Sequence, residues 1–176
     1  MKALDPPEAQ DWLTALFDLY ATTLRAYATR RVGPDSADDI VSEVFAVAWR
    51  RRASVPEPAL PWLLRVAHHT IAHDRRTWAR HLRMLDAVAD TTQDTAAPGA
   101  DRASRALADS ILAQLPPVDA EILRLTAWEG LTPAEIAIVL DLSDSAARTR
   151  LMRARKRAQR LLEPTVAPRL AAVTTT

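Results

Sequence analysis

Residues 131–160, LTPAEIAIVLDLSDSAARTRLMRARKRAQR, decide how this chain is read, because they describe two closely linked helices of which the second turns strongly basic. Thr132 stands as an N-cap, Pro133 at the first helical position where no N–H is needed, and Glu135 three residues on to close a capping box. Ile136, Ala137, Leu140 and Leu142 then give the buried side of a short helix and its turn. Asp141 falls where the chain must reverse. A left-handed backbone is usual there, most easily supplied by Gly and tolerated at modest cost by Asp and Asn. Ser143, Asp144 and Ser145 offer the next cap, and the second helix is expected to begin near Ser145. From 143 to 160 seven basic residues (Arg148, Arg150, Arg153, Arg155, Lys156, Arg157, Arg160) stand against one acid, Asp144. This segment carries a net +6 in a chain whose total is +1.

A lone basic helix is most simply a solvated amphipathic surface. This one follows a capped helix and a tight turn at helix-turn-helix spacing, and small residues lie beside its first arginines. Small side chains let a helix enter the major groove closely, while Arg reads guanine edges and further Arg and Lys residues hold phosphates. Ser143, Ser145, Ala146, Arg148, Thr149, Arg150, Arg153 and Arg155 are therefore the candidate contacts to duplex DNA.

The remaining composition narrows the class. With 176 residues, 48% of them hydrophobic, the chain is long enough for one domain or two small ones. Gly occurs only 3 times, Ala and Leu recur throughout, and no convincing alternating strand is found, so an all-α fold is expected. The absence of Cys removes disulfides, thiolate metal sites and cysteine nucleophiles. Asp5, Pro6, Pro7 and Glu8 interrupt any apolar leader, and no run approaches the roughly 20 apolar residues of a membrane span. A cytoplasmic protein without membrane insertion is the expectation. No nucleophile–base pair, phosphate-cradling glycine loop or carboxylate cluster is present, so neither catalytic residues nor a cofactor is expected. His69 and His73 have an i, i+4 spacing, but with no third ligand assured no metal site is expected.

Charge is segregated along the chain, which points to separate surfaces for separate partners. Residues 35–43 hold Asp35, Asp38, Asp39 and Glu43 with no base, residues 62–83 hold five Arg against one Asp, and residues 86–101 hold four Asp and no base. Two small helical domains are expected. In the first, residues 1–85, one helix runs from about Trp12 to Arg31 and stops at Gly33-Pro34. A second helix, capped by Asp35 or Ser36, carries a wide apolar face of Ile40, Val41, Val44, Phe45, Val47, Ala48 and Trp49. A third runs from about Trp62 to Leu85 after a proline-bearing loop. Residues 86–105 have the composition of an acidic flexible linker. The second domain, residues 106–164, begins with Leu107, Ile111, Leu112 and Leu115 and breaks at Pro116-Pro117. It continues in a helix over Asp119–Glu129 whose inward face is Ile122, Leu123, Leu125 and Trp128. Residues 165–176 read as a disordered tail.

Taken together, the two halves resemble the extracytoplasmic-function (ECF) class of bacterial sigma factors, which keep sigma regions 2 and 4 joined by a linker. DSADDIVSEVFAVAWRR (residues 35–51) is similar to the family's D-A-E-D-L-V-Q-E-T-F-x-x-A-W helix, and PWLLRVAHHTIAHDRR (residues 61–76) to the R-P-W-L-x-R-I-A-x-N-x-x-x-D-x-x-R-R stretch that follows it. LPPVDAEILRLTAWEGLTPAEIAIVLDLSDSAARTRLMRARKRA (residues 115–158) resembles the region 4 pattern, with the helix-turn-helix in its second part. The likeness implies a transcription initiation factor that binds core RNA polymerase and directs it to promoter DNA, both duplex and melted single strand. By position, Asp38, Asp39, Ser42, Glu43, Phe45 and Trp49 fall in the helix that docks on the polymerase. Arg65, His69, Asp74, Arg75, Arg76 and Arg80 match the region that grips the opening promoter, with Trp78 placed to stack on a base and the loop from Arg52 to Leu60 expected to line the base pocket. An anti-sigma factor is implied as a further partner. Some positions depart from the pattern: Asp141 and Ser145 stand where Gly is usual, Ala146-Ala147 where Thr-Val is common, and His69 where Asn is common. Two rival readings are a stand-alone helix-turn-helix regulator and a sigma-like decoy that only binds an anti-sigma protein.

Overall fold

The structure is a computed structural model; it describes the backbone of residues 6–85 and 99–173 and the side chains of residues 8–73 and 104–163. Seven α-helices follow one another: α1 (Pro6–Val32), α2 (Pro34–Arg50), α3 (Leu60–Leu85), α4 (Gly99–Ala113), α5 (Pro117–Ala127), α6 (Pro133–Val139) and α7 (Asp144–Val173). A 3-10 turn, Arg52–Ser54, lies between α2 and α3, and no strand occurs among the described residues. The chain divides near residue 93 into two compact units, one built on α1 to α3 and the other on α4, α5 and α7.

In the first unit each of the three helices packs on the other two. The α2 sequence explains its place: Ala37, Ile40, Val41, Val44, Phe45 and Ala48 recur at three- and four-residue spacing and are all buried, leaving the acids on the opposite side. Leu24, Tyr27 and Ala28 from α1 and Leu63, Leu64, Ala67 and Ile71 from α3 complete the core. The caps differ from expectation. Neither Asp35 nor Ser36 caps α2; Gly33 takes that place at φ 82, and Pro34 is the first helical residue. Proline suits this position because its φ is preset and its missing N–H leaves no donor unsatisfied. Asp35 instead sits in the first turn, where negative charge complements the helix dipole.

The second unit is held by α5 against α7, with α4 touching both. Leu112, Leu115 and Ala120 form a buried cluster onto which Leu123, Ala158 and Leu161 pack. Along α7 the inward positions Ala147, Leu151, Ala154, Ala158 and Leu161 step by four and three, a narrow stripe on an otherwise exposed, charged helix. Trp128 departs from its expected inward place: it lies past the end of α5 and is 41% exposed. The chain turns at Gly130 (φ 68), and Leu131 is buried instead, its N–H bonded to the Leu125 carbonyl at 3.1 Å.

Two boundary expectations also change. Helix α4 starts at Gly99, inside the segment read as linker, where Ala100, Arg102 and Ala103 are good helix formers. The rest of that linker, residues 86–98, lies outside the described residues. Residues 165–173, read as disordered tail, continue α7 through Pro164 and Pro168. Extending an existing helix needs no new nucleus, and Ala167, Leu170, Ala171 and Ala172 favour it.

Candidate nucleic-acid interface

The helix-turn-helix is assembled by local hydrogen bonds that its sequence specifies. Thr132 N–H donates to Glu135 Oε2 at 2.8 Å and Glu135 N–H donates to Thr132 Oγ1 at 3.3 Å, the two arms of the capping box. At the far end of α6, Asp141 adopts φ 53, the left-handed conformation its position called for. The Leu142 N–H reaches back to the Ala137 carbonyl at 2.9 Å, giving the 6→1 bond of a Schellman motif around Asp141. Ser143 then caps α7, its Oγ accepting the Ala146 N–H at 3.2 Å, so the helix begins at Asp144, one residue before the expected start.

This start fixes the rotation of α7. With Ala147, Leu151 and Ala154 turned inward, Ser145, Arg148, Thr149, Arg150, Arg153, Arg155, Lys156, Arg157 and Arg160 are all exposed, and Ala146 is half-buried. Arg148 lies 3.5 Å from Asp144 one turn earlier. An exposed pair at this spacing contributes only about 0.3–0.5 kcal/mol, so a phosphate or base edge can displace it. Arg153, Arg155, Lys156 and Arg160 have no ion-pair partner among the described residues.

Arg150 is placed differently from a freely exposed base reader. Its Nη1 is 3.7 Å from Oδ1 of Asp119, whose Oδ2 accepts a hydrogen bond from Arg157. The Asp119 side chain is 5% exposed. A groove of about 380 Å³ runs beside it, lined by Ser145, Ala146, Thr149, Arg150, Arg153 and Arg157. Asp119 was not foreseen: 38 residues separate it from Arg157, and no local spacing rule connects them.

In the first unit an open groove of about 700 Å³ lies between α2 and α3. Asp39 and Glu43 line it from α2, Arg65, His69 and His73 from α3, with Arg51 and Trp62 among the other lining residues. Two of the three acids expected to meet polymerase and two of the residues expected to meet DNA therefore share one groove. None of the loop residues 52–60, expected to line a base pocket, lines this groove. Glu43 accepts a hydrogen bond from Arg50 at 2.9 Å. Asp38 accepts one from Arg25 at 2.7 Å, and that bond holds its carboxyl below the usual range and raises the Arg25 guanidinium. Ser42 is exposed, its hydroxyl donating to the Asp38 carbonyl at 2.8 Å. Trp49 is 36% exposed with the Arg52 guanidinium 5.0 Å above its ring.

Phe45 does not belong with these residues. It is 7% exposed and its ring packs 4.9 Å from that of Phe17, so its side chain contributes to the core. Asp74, Arg75, Arg76, Trp78 and Arg80 follow on the same helix as Arg65 and His69, but their side chains lie outside the described residues. Among the described residues no three His, Cys, Asp or Glu side chains group as a metal ion requires.

Comparison with known proteins places these two units. The sigma-70 region 2 family matches residues 16–81, and the sigma-70 region 4 family matches residues 105–157. The ECF RNA polymerase sigma factor SigL of Mycobacterium tuberculosis is 30% identical over 146 residues, which cover 79% of this chain and 82% of SigL. The chain is an ECF sigma factor. A probable RNA polymerase sigma factor of Xanthomonas campestris pv. campestris, RfaY, is 36% identical over 144 residues, 76% of this chain, although the match spans only 35% of RfaY. In solved structures, the sigma factor RpoE of Bartonella quintana, crystallised with the anti-sigma factor NepR, has the same fold: TM-score 0.63 over 85% of this chain and 96% of RpoE, at 21% identity. In this ECF sigma factor the region 2 match takes in the α2–α3 groove, and the region 4 match takes in the helix-turn-helix with Asp119 and Arg157. No helix among the described residues is long and apolar enough to cross a membrane.

Proposed function

We propose that this ECF sigma factor binds core RNA polymerase through its first unit and directs it to promoters read by both units. The observation that carries the proposal is the occurrence, in order on one chain, of the two sigma regions, each with a surface suited to its task. Asp39, Ser42, Glu43 and Trp49 are the exposed side chains of α2 assigned to polymerase docking, with Asp38 at their edge in its pair with Arg25. Two acids one helical turn apart suit a basic partner surface, where complementary charge favours both the rate and the register of docking.

Promoter opening is assigned to α3. Taking bases out of the stack costs a few kcal/mol per step, and recovering it needs stacking surfaces and a cationic track. Arg65 and His69 are assigned to this task, and Asp74, Arg75, Arg76, Trp78 and Arg80, assigned with them, follow in the sequence of the same helix. Duplex reading is assigned to Ser143, Ser145, Ala146, Arg148, Thr149, Arg153 and Arg155 of the second unit; Arg150, expected among them, is engaged by Asp119. If three or four cations touch phosphates, affinity falls with a log-log salt slope of about −3, so this half alone holds duplex DNA weakly at physiological salt. Tethering to polymerase raises the effective concentration of each half at its site and turns two weak contacts into a firm one.

The same reading makes the protein a non-enzymatic, cytoplasmic factor regulated by an anti-sigma protein. Domain limits of 1–85 and 106–164, with the second extended back to Gly99, fit this division of work. The test is to mix the full chain with core RNA polymerase and sequence the transcripts made from fragmented genomic DNA of its host. Discrete start sites sharing two spaced upstream elements are expected. Polymerase binding without initiation would favour a decoy, and duplex binding without polymerase binding would favour a stand-alone regulator.

A further inference from the structure

Among the described residues Asp119 is the one charged residue that is buried, at 3% exposure for the residue as a whole. It lies in the first turn of α5, but its oxygens face α7. Oδ2 takes the hydrogen bond from Arg157, and Oδ1 stands 3.7 Å from Arg150. A buried carboxylate is very unfavourable without a counter-charge, so these arginines are held where they are. Arg153 lies between them along α7 and lines the same groove, yet has no ion-pair partner among the described residues. The basic helix is thus sorted into two classes. Arg157 is hydrogen-bonded to Asp119 and Arg150 stands 3.7 Å from it, both side chains staying about half exposed, while Arg153, Arg155 and Lys156 have no such buried partner and Arg148 pairs only with the exposed Asp144.

We infer that Asp119 is a specificity-determining positioning residue: a built-in substitute for a DNA phosphate that occupies Arg150 and Arg157 and withholds their charge from the duplex backbone. Phosphate contacts add affinity without sequence information, whereas base-edge contacts discriminate. Occupying two of the seven cations with one carboxylate, which offsets a single unit of their charge, lowers sequence-independent attachment while leaving the exposed first turns of α7 to read bases. The carboxylate also ties α7 to α5, so the same bond fixes the angle at which the helix is presented. This inference rests on the assignment of α7 to duplex DNA.

The test uses the full-length chain and a random-sequence 20-bp DNA duplex, with binding measured between 50 and 200 mM salt. Each phosphate contact adds about 0.9 to the magnitude of the log-log slope, or about a 3.5-fold change in affinity over this range. Asp119→Asn keeps a carbonyl oxygen as acceptor but removes the charge, and its slope is expected to steepen by about 1.8 as two arginines are freed. The Arg150→Gln, Arg157→Gln double variant of the otherwise unchanged chain is expected to keep the parent slope, because those cations were already occupied. Adding both substitutions to Asp119→Asn should return the slope to the parent value. A structural role for Asp119 alone would alter stability and leave the slopes in place. The inference is overturned if Asp119→Asn binds with the parent slope, or if the arginine double variant loses about 1.8. Should Asp119→Asn fail to fold, or the arginine variant, which strips the carboxylate of its counter-charge, the triple variant with no buried charge decides the matter, and a slope lower than the parent's by about 1.8 overturns the inference. A parent chain that binds no duplex at 50 mM salt defeats the assignment of α7 to DNA as well, a result distinct from binding with an unchanged slope.

Discussion

Leu151 and Met152 are neighbours on α7 with opposite fates, and substituting each by Ala tests the rotation of the helix on which every duplex-facing assignment depends. Leu151 is 5% exposed and Met152 is 64% exposed. Leu151→Ala removes three buried carbons, about 2.4 kcal/mol at about 0.8 per methylene. The cavity left behind adds to this, which brings the cost into the range of about 2.7–5 kcal/mol measured for buried leucines. A unit of some 60 residues has a total stability of only about 3–9 kcal/mol. Leu151→Ala should therefore remove much of the second unit's stability, whereas Met152→Ala should stay within about 0.5 kcal/mol of the parent. Hydrogen exchange read by mass spectrometry along urea titrations reports the two units of the full chain separately. The α5 and α7 amides should lose protection in Leu151→Ala, with α1 to α3 unchanged. Equal costs for the two variants, or a cost below 1 kcal/mol for Leu151→Ala, would mean that α7 is rotated differently and that the exposed arginines have been assigned to the wrong face.

Other outcomes follow from the same geometry. Thr132→Ala breaks the capping box and should cost about 1 kcal/mol, seen as faster exchange of the Ile136 amide that bonds to the Thr132 carbonyl. Reversing Asp39 and Glu43 together to Lys should weaken binding to core polymerase at least tenfold, measured by fluorescence anisotropy, while duplex binding by the second unit stays intact. Asp38 is held below the usual carboxylate range by Arg25, so the pair stabilises the fold above about pH 4 and loses its contribution as pH falls through the lowered value. Carboxyl titration by NMR should give an ordinary value for Asp38 once Arg25 is replaced by Gln, and no change on that replacement would remove Arg25 as the cause.

What the sequence made legible was local. The capping box joins residues three apart, the left-handed turn depends on Asp141 alone, and the α2 stripe repeats within one helix, so each can be read without knowing the rest of the fold. Asp119 shows the opposite case: its partners come from a helix that begins 25 residues later in the chain, and only the packing of α5 on α7 brings them together. Phe45 was legible as part of the α2 apolar stripe, but its contact with Phe17 on α1 was not, because no spacing rule links the two helices. The start of α4 and the extension of α7 were missed for a different reason. Near Pro98, Gly99, Pro164 and Pro168 the composition reads as loop. The shared α2–α3 groove also escaped, since charge counted along the chain separates acids from bases that the fold places together.

The alternation of four- and three-residue steps along α7 also bears on how such a protein changes over evolutionary time. Ala147, Leu151 and Ala154 secure the helix, and none of Ser145, Arg148 and Thr149 shares their buried face. Exposed positions of this kind usually accept substitution within about 0.5 kcal/mol. The letters offered to DNA can therefore be rewritten one at a time without the fold being renegotiated. A single inserted residue after Ser143 would do the reverse, turning the whole helix by about 100° and carrying an arginine into the core. Divergence of this scaffold toward new promoters is open to substitution and closed to insertion.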